Sequence, residues 1–243
     1  MLQIKKKGHS MAKIFNSVKI LFFTTLFSTL LFGMGGQNNQ IDFRAVSKSE
    51  ATNVQSGKHK DFCPICGMTL HNFYKTNFAA NANGVEKQYC SIICLVEDEI
   101  VNNQKMKNIR VVDNSTMKMI DARKASYVVG SNKPATMNSV SIYGFGTVDA
   151  AKKFVSENGG EVKTFDEVYK MVKSTQAQDM AATKQRQAKA AQMGEMIYNK
   201  MCSKTDKKFK SVAEAKSFLE ESKICGNISD KQLQVVGLYL IQR

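Results

Sequence analysis

The 243-residue sequence contains no tryptophan, two prolines and three histidines. The last histidine is His71, and no C-x-x-C-H occurs anywhere. Covalent haem attachment is therefore excluded. No catalytic triad, phosphate loop or paired-carboxylate constellation stands out, so hydrolase or transferase chemistry lacks support and no enzymatic activity is expected. A nucleic-acid partner is excluded on distribution rather than on total charge. The net charge is +14, but residues 1–60 hold nine Lys/Arg against two acids, residues 61–173 fourteen against twelve, and residues 174–243 twelve against seven. The excess lies at the two ends, with no basic stripe interleaved with aromatics and no nucleic-acid module. Basic ends suit a solvated surface, an acidic partner protein or an anionic membrane.

An apolar fraction of 43% is that of ordinary globular chains and permits a buried core. Lysines 5, 6, 7, 13 and 19 precede an apolar run from Ile20 to Phe32, followed by Gly33, Gly35, Gly36 and a polar stretch. A basic segment, a short apolar segment and small residues describe a secretory signal. The run is shorter than the roughly 20 residues of a membrane span. Counting from Ile14 to Met34, with Lys19 inside, keeps an uncleaved anchor open. Met11 could serve as an alternative start, and no cysteine near the run offers a lipid attachment site. The expectation is an exported protein, with peripheral or anchored membrane contact as the variant.

Six cysteines in an oxidising compartment first suggest disulfides. Their spacing separates Cys63, Cys66, Cys90 and Cys94 from a distant pair, Cys202 and Cys225. In Cys63-Pro64-Ile65-Cys66-Gly67-Met68 the two thiols can chelate one ion or close a small redox disulfide. Pro64 stiffens the turn and Gly67 permits a tight bend. Met68 adds a thioether. Cys90 and Cys94 can complete a tetrahedral four-thiolate site. Four thiolates alone suit Zn(II), whereas thiolate with thioether favours Cu(I). His71 is a further candidate ligand, though a histidine in a polar loop reads first as surface. Met117 and Met119, alternating along an expected strand, read as core packing.

Elsewhere the pattern predicts an α+β fold. Residues 109–112, 125–129 and 161–165 read as strands, and Tyr89 as the end of another. Helices are expected over 94–102, 149–156 and, with Asp166 as N-cap, 167–174. Residues 175–192 lack Gly and Pro and are rich in Ala, Gln and Lys, which favours a long exposed spacer helix. Helices over 193–202, 212–221 and 229–241 follow, with Ser211 and Ser229 as N-caps and Gln232 completing a capping box. The expected division is 1–36 signal or anchor, 37–60 flexible leader, 61–173 metal-binding domain, 174–192 helical linker and 193–243 helical module. A Cys202–Cys225 disulfide would stabilise that small module by roughly 2–4 kcal/mol.

The Cys63–Met68 run resembles the opening motif of the NosL family, copper-delivery accessory proteins of nitrous oxide reductase. The resemblance continues through Ile120–Ser131, with Asp121-Ala122 and Tyr127-Val128-Val129-Gly130-Ser131, to Met137, Gly144-Phe145, Asp149-Ala150 and Gly159-Gly160-Glu161-Val162. It covers roughly residues 61–173. It implies a periplasmic Cu(I) carrier that passes copper to a nitrous oxide reductase-like enzyme and its maturation machinery in denitrification. Cys63, Cys66, Met68 and Met137 are the ligand candidates it carries over. Cys90 is additional to the family pattern, and the usual N-terminal lipid-bearing cysteine is missing. Cys90 and Cys94 either join the site or pair as a disulfide beside it. Because a closed four-thiolate cage holds metal firmly, the carrier reading favours a site that does not spend all four on one copper. Tyr89-Cys90-Ser91-Ile92-Ile93-Cys94 also looks like the later half of a TRASH/YHS-type knuckle. Residues 194–202 and 228–240 resemble the first and last helices of small c-type cytochromes without the haem motif, a scaffold that could serve docking. A structural Zn(II) module in an adaptor or sensor, and a thiol–disulfide oxidoreductase using Cys63 and Cys66, are the alternative functions.

Overall fold

The computed structural model describes residues 42–243. The expected signal or anchor at 1–36 lies outside the described residues. Seven strands form two small antiparallel sheets. The first has the order β2 (Val85–Tyr89), β1 (Phe78–Ala82), β3 (Met106–Val112), β4 (Met119–Asp121); the second has β6 (Ile142–Phe145), β5 (Ser126–Val129), β7 (Glu161–Lys163). An isolated parallel bridge between Asp113 and Gly144 links them. The helices are α1 (Ile92–Val101), α2 (Val148–Asn158), α3 (Phe165–Met201), α4 (Val212–Ser222) and α5 (Asp230–Leu240). The architecture is α+β with a helical C-terminal part. Among the described residues no helix is long and apolar enough to cross a membrane.

Local chemistry explains most element ends. Ser211 and Ser229 cap α4 and α5, and Gln232 returns the capping-box bond at Ser229. Gly159, at φ 69°, stops α2 where the pattern expects a stop. The cap of α3 is Thr164 rather than Asp166: its hydroxyl accepts from the Glu167 amide while the Glu167 carboxylate accepts from the Thr164 amide. Met117 does not share a strand with Met119. It sits in a turn at φ 58°, and β4 begins at Met119.

Two longer-range expectations change. The spacer and the helix after it are one 37-residue helix, about 55 Å long. It is not exposed all round, since Phe165, Val168, Val172, Gln176, Thr183, Ala191, Gly194 and Tyr198 form a buried stripe. The start of α3 packs on α1 and β5, and its end packs on α5. Residues 42–60, expected to be a flexible leader, are held by side chains of the sheet region. The Thr52 amide donates to the Tyr74 hydroxyl (3.1 Å), the Val54 amide to Gln88 Oε1 (2.9 Å), and the Gln88 amide to Gln55 Oε1 (2.9 Å). Gln88 is fully buried, so these bonds satisfy polar groups that water cannot reach.

Cys202 and Cys225 form the expected disulfide, which ties the C-terminal end of α3 to the connection between α4 and α5. Mass spectrometry of the unreduced protein should find this pair 2 Da lighter than the dithiol, as loss of two hydrogens requires; two free thiols would contradict the structure. Gly194 lets α3 approach α5 backbone to backbone, because a Cβ there would lie 1.9 Å from the Val235 carbonyl oxygen. Gly194→Ala is therefore expected to destabilise the protein by about 2–3 kcal/mol in urea unfolding, even though Ala is the better helix former.

Candidate metal centre

The Cys63–Met68 knuckle forms because its own backbone closes it. The Cys63 amide donates to the Met68 carbonyl (2.9 Å), and the Gly67 amide donates to the Cys63 carbonyl (2.9 Å). A Phe62–Thr69 bridge seals the base. Gly67 takes φ 73°, and a Cβ there would meet the Val212 side chain at 2.3 Å. Both the turn and that close approach demand glycine.

Cys90 follows directly on the last residue of β2, and Cys94 lies in the first turn of α1. Three buried contacts fix this strand-to-helix corner. The Thr76 hydroxyl donates to the Cys90 carbonyl (2.8 Å). The buried Asp98 carboxylate accepts from the Tyr89 hydroxyl (2.7 Å) and from Lys87 Nζ (2.9 Å). A buried carboxylate matched by a cation and two further donors, Tyr89 and Asn102, is an effective local anchor.

The four free cysteines converge. Their Sγ atoms all lie within 4.8 Å of one another, with Cys66–Cys90 at 3.4 Å and Cys90–Cys94 at 3.7 Å. All four are buried. A tetrahedral ion with metal–sulfur bonds of about 2.3 Å needs sulfur–sulfur separations of about 3.8 Å. The cluster is thus already near the geometry that a four-coordinate soft ion requires. Burial pushes the Cys63 thiol upward, but donation from Cys66, Cys90 and Cys94 outweighs it and holds Cys63 well below the ordinary thiol range. Cys90 is raised by burial and by its bonds to Cys63 and Cys66; Cys94 is raised by its bonds to Cys63, Cys66 and Cys90, with burial adding to them. Glu97, further along α1, is raised by burial and then by the charge at Cys63.

The thioether candidates occupy different places. Met68 is half-buried against the cysteine-containing core and lines a cavity of about 600 Å³ with Phe73, Met193, Lys216 and Gln234. Met137 is buried in the same apolar cluster. Its backbone is held at φ 75°, and its carbonyl accepts from Arg186 Nη2 at 2.7 Å. A left-handed methionine costs free energy that the surrounding contacts must offset. His71 stands outside the cluster and lines a separate cavity.

Lys216, of a residue type that is ordinarily solvent-exposed, lies fully buried behind the knuckle. Its ammonium donates to the Gly67 carbonyl (2.8 Å), to the Thr69 hydroxyl (3.0 Å) and to Gln234 Oε1 (3.0 Å), and it stands over the Phe62 ring. Burial lowers it to about 8, with the charge at Cys66 opposing the shift. One signal was available: Lys216 falls four residues after Val212 and three before Leu219, on the apolar stripe of α4.

A preformed, fully enclosed four-thiol pocket between a sheet corner and a helical cover defines a soft-metal-binding protein. Residues 54–172 match the NosL family model, and that segment is NosL-like. Among solved structures, the copper chaperone NosL from Shewanella denitrificans is similar over 48% of this chain and 96% of that chain, with 23% identity and a TM-score of 0.38. No curated protein matches. The family match ends before the C-terminal half of α3, so α4 and α5 lie outside it.

Because all four thiols are buried, alkylation by iodoacetamide under native, reducing, metal-free conditions should leave Cys63, Cys66, Cys90 and Cys94 unmodified. All four should react once the chain is unfolded in guanidinium. Rapid native labelling of any of them would contradict the enclosed cluster.

Proposed function

We propose that this protein is an exported, periplasmic Cu(I) carrier that serves a copper enzyme, with a nitrous oxide reductase-like acceptor as the partner. The carrying observation is the convergence of four free, buried cysteine sulfurs within 4.8 Å. The match of residues 54–172 to the NosL family and the thioether directly after the knuckle support copper over other soft ions.

In this reading the chain's residues work as binders rather than as catalysts. Cys63 supplies the first thiolate, and metal capture displaces protons from the neighbouring thiols. Met68 lies between the enclosed sulfurs and the cavity lined by Met193 and Phe73. It is the residue placed to accept copper as thiolates release it one at a time. Met137, in the same cluster, is a reserve thioether for an intermediate with fewer thiolates. Stepwise exchange of this kind lets a tightly bound ion leave without ever being bare.

A structural Zn(II) site is the second reading, favoured by the enclosure itself. Structural zinc sites are closed and four-coordinate, and the near-tetrahedral sulfur spacing suits one.

Anaerobic titration with Cu(I) against a competing chelator separates the two, using the natural chain, Cys63→Ser, Cys90→Ser, Met137→Leu and the Cys63→Ser/Cys66→Ser pair. The carrier reading expects tight Cu(I) binding that is lost in the double variant and weakened at least tenfold by Cys63→Ser. Undiminished Cu(I) binding by the double variant overturns it. Tight Zn(II) binding through all four cysteines with weak Cu(I) affinity selects the structural reading instead.

A further inference from the structure

We infer that α4 and α5 form the rear wall of the metal centre, with Lys216 and Gln234 as the residues that position the Cys63–Met68 knuckle. The inference rests on the reading that the four thiols hold a metal ion, and it assigns to the C-terminal helices a direct part in that site.

The contacts are specific. Gln234 Nε2 donates to the Cys66 carbonyl at 2.9 Å, and Lys216 Nζ donates to the Gly67 carbonyl at 2.8 Å. Two successive knuckle carbonyls are therefore each held by a side chain from a different C-terminal helix. Lys216 and Gln234 also bond to each other at 3.0 Å, so the two clamps act as one unit. Val212 of α4 fills the space that the missing Gly67 side chain leaves. The Lys216 ammonium has three donors and three oxygen partners, so a wholly buried lysine carries no unsatisfied N–H.

Charge gives the arrangement a purpose beyond packing. Four thiolates around a monovalent ion leave three negative charges, and around a divalent ion two. Burying that excess is unfavourable unless a cation stands near it. Lys216 is the buried basic side chain directly behind the knuckle, with its Nζ 2.8 Å from the carbonyl of Gly67, the residue after Cys66. Groups that fix a ligand's backbone and tune its charge commonly govern metal affinity as strongly as some ligands do. The segment that matches the family ends at residue 172, so this wall is supplied by sequence outside it.

The test uses the full chain with its disulfide. Cu(I) affinity is measured by chelator competition, and the Co(II)-loaded protein is examined for its charge-transfer and ligand-field bands. Lys216→Met and Gln234→Leu are expected to lose about 10- to 100-fold in Cu(I) affinity. Both should keep the far-UV spectrum and the Cys202–Cys225 bond, while the Co(II) bands shift as the knuckle relaxes. Lys216→Arg, which keeps the charge, should recover part of the loss. Unaltered affinity and bands in both Lys216→Met and Gln234→Leu overturn the inference and leave the metal site standing. Absence of Cu(I) uptake by the natural chain overturns the site itself. Should Lys216→Met fail to fold, Gln234→Leu, which leaves the ammonium in place, decides by the same readouts.

Discussion

Four sulfur atoms have to meet at one buried point, and they come from two stretches of chain separated by 23 residues. A turn can bring Cys63 and Cys66 together by itself. Nothing local brings Cys90 and Cys94 to them. That convergence requires the hairpin of β1 and β2 to place its end against the knuckle, and α1 to start there. The Tyr89–Asp98–Lys87 network and the Thr76 bond to Cys90 keep that corner from drifting. A drift of an ångström would spoil the sulfur spacing, because metal–sulfur bonds have narrow length preferences.

Enclosure brings an electrostatic difficulty along with the geometry. Thiolates are poorly tolerated away from water, and in the cluster hydrogen bonds from its neighbours hold the Cys63 thiol low while Cys90 and Cys94 are pushed up. Lys216 places a cation behind the same knuckle. Met68 takes part in closing the knuckle through its carbonyl while its side chain lines the neighbouring cavity. The buried cluster thus stands next to a cavity that a thioether lines.

The long helix α3 joins these features mechanically. Its first turns pack on the sheet and α1 beside the cysteines, and its last turns pack on α5. Rigid helix is a better strut than loop, since each added residue is held by a backbone hydrogen bond. Gly194 and the Cys202–Cys225 bond then fix where α4 and α5 must lie. The C-terminal helices therefore cannot swing free of the knuckle without breaking contacts at several places at once.

Much of this was readable in residue order alone. The knuckle, its need for Gly67, the caps at Ser211 and Ser229, the stop at Gly159 and the pairing of Cys202 with Cys225 depend on chemistry within a few residues or on cysteine arithmetic. So did the α+β character and the family likeness. The short strand Phe78–Ala82 was not readable, because an Ala-rich, two-faced buried segment shows no alternation. The cap lies at Thr164, two residues before Asp166, since both are good capping types. What the tertiary structure alone decided is which distant groups become neighbours. It joined Cys90 and Cys94 to Cys63 and Cys66, ran the spacer through as one helix, and buried Lys216 against Gly67. Residue type and spacing act over a turn or two of chain, whereas burial and charge pairing across some 150 residues depend on how the elements pack.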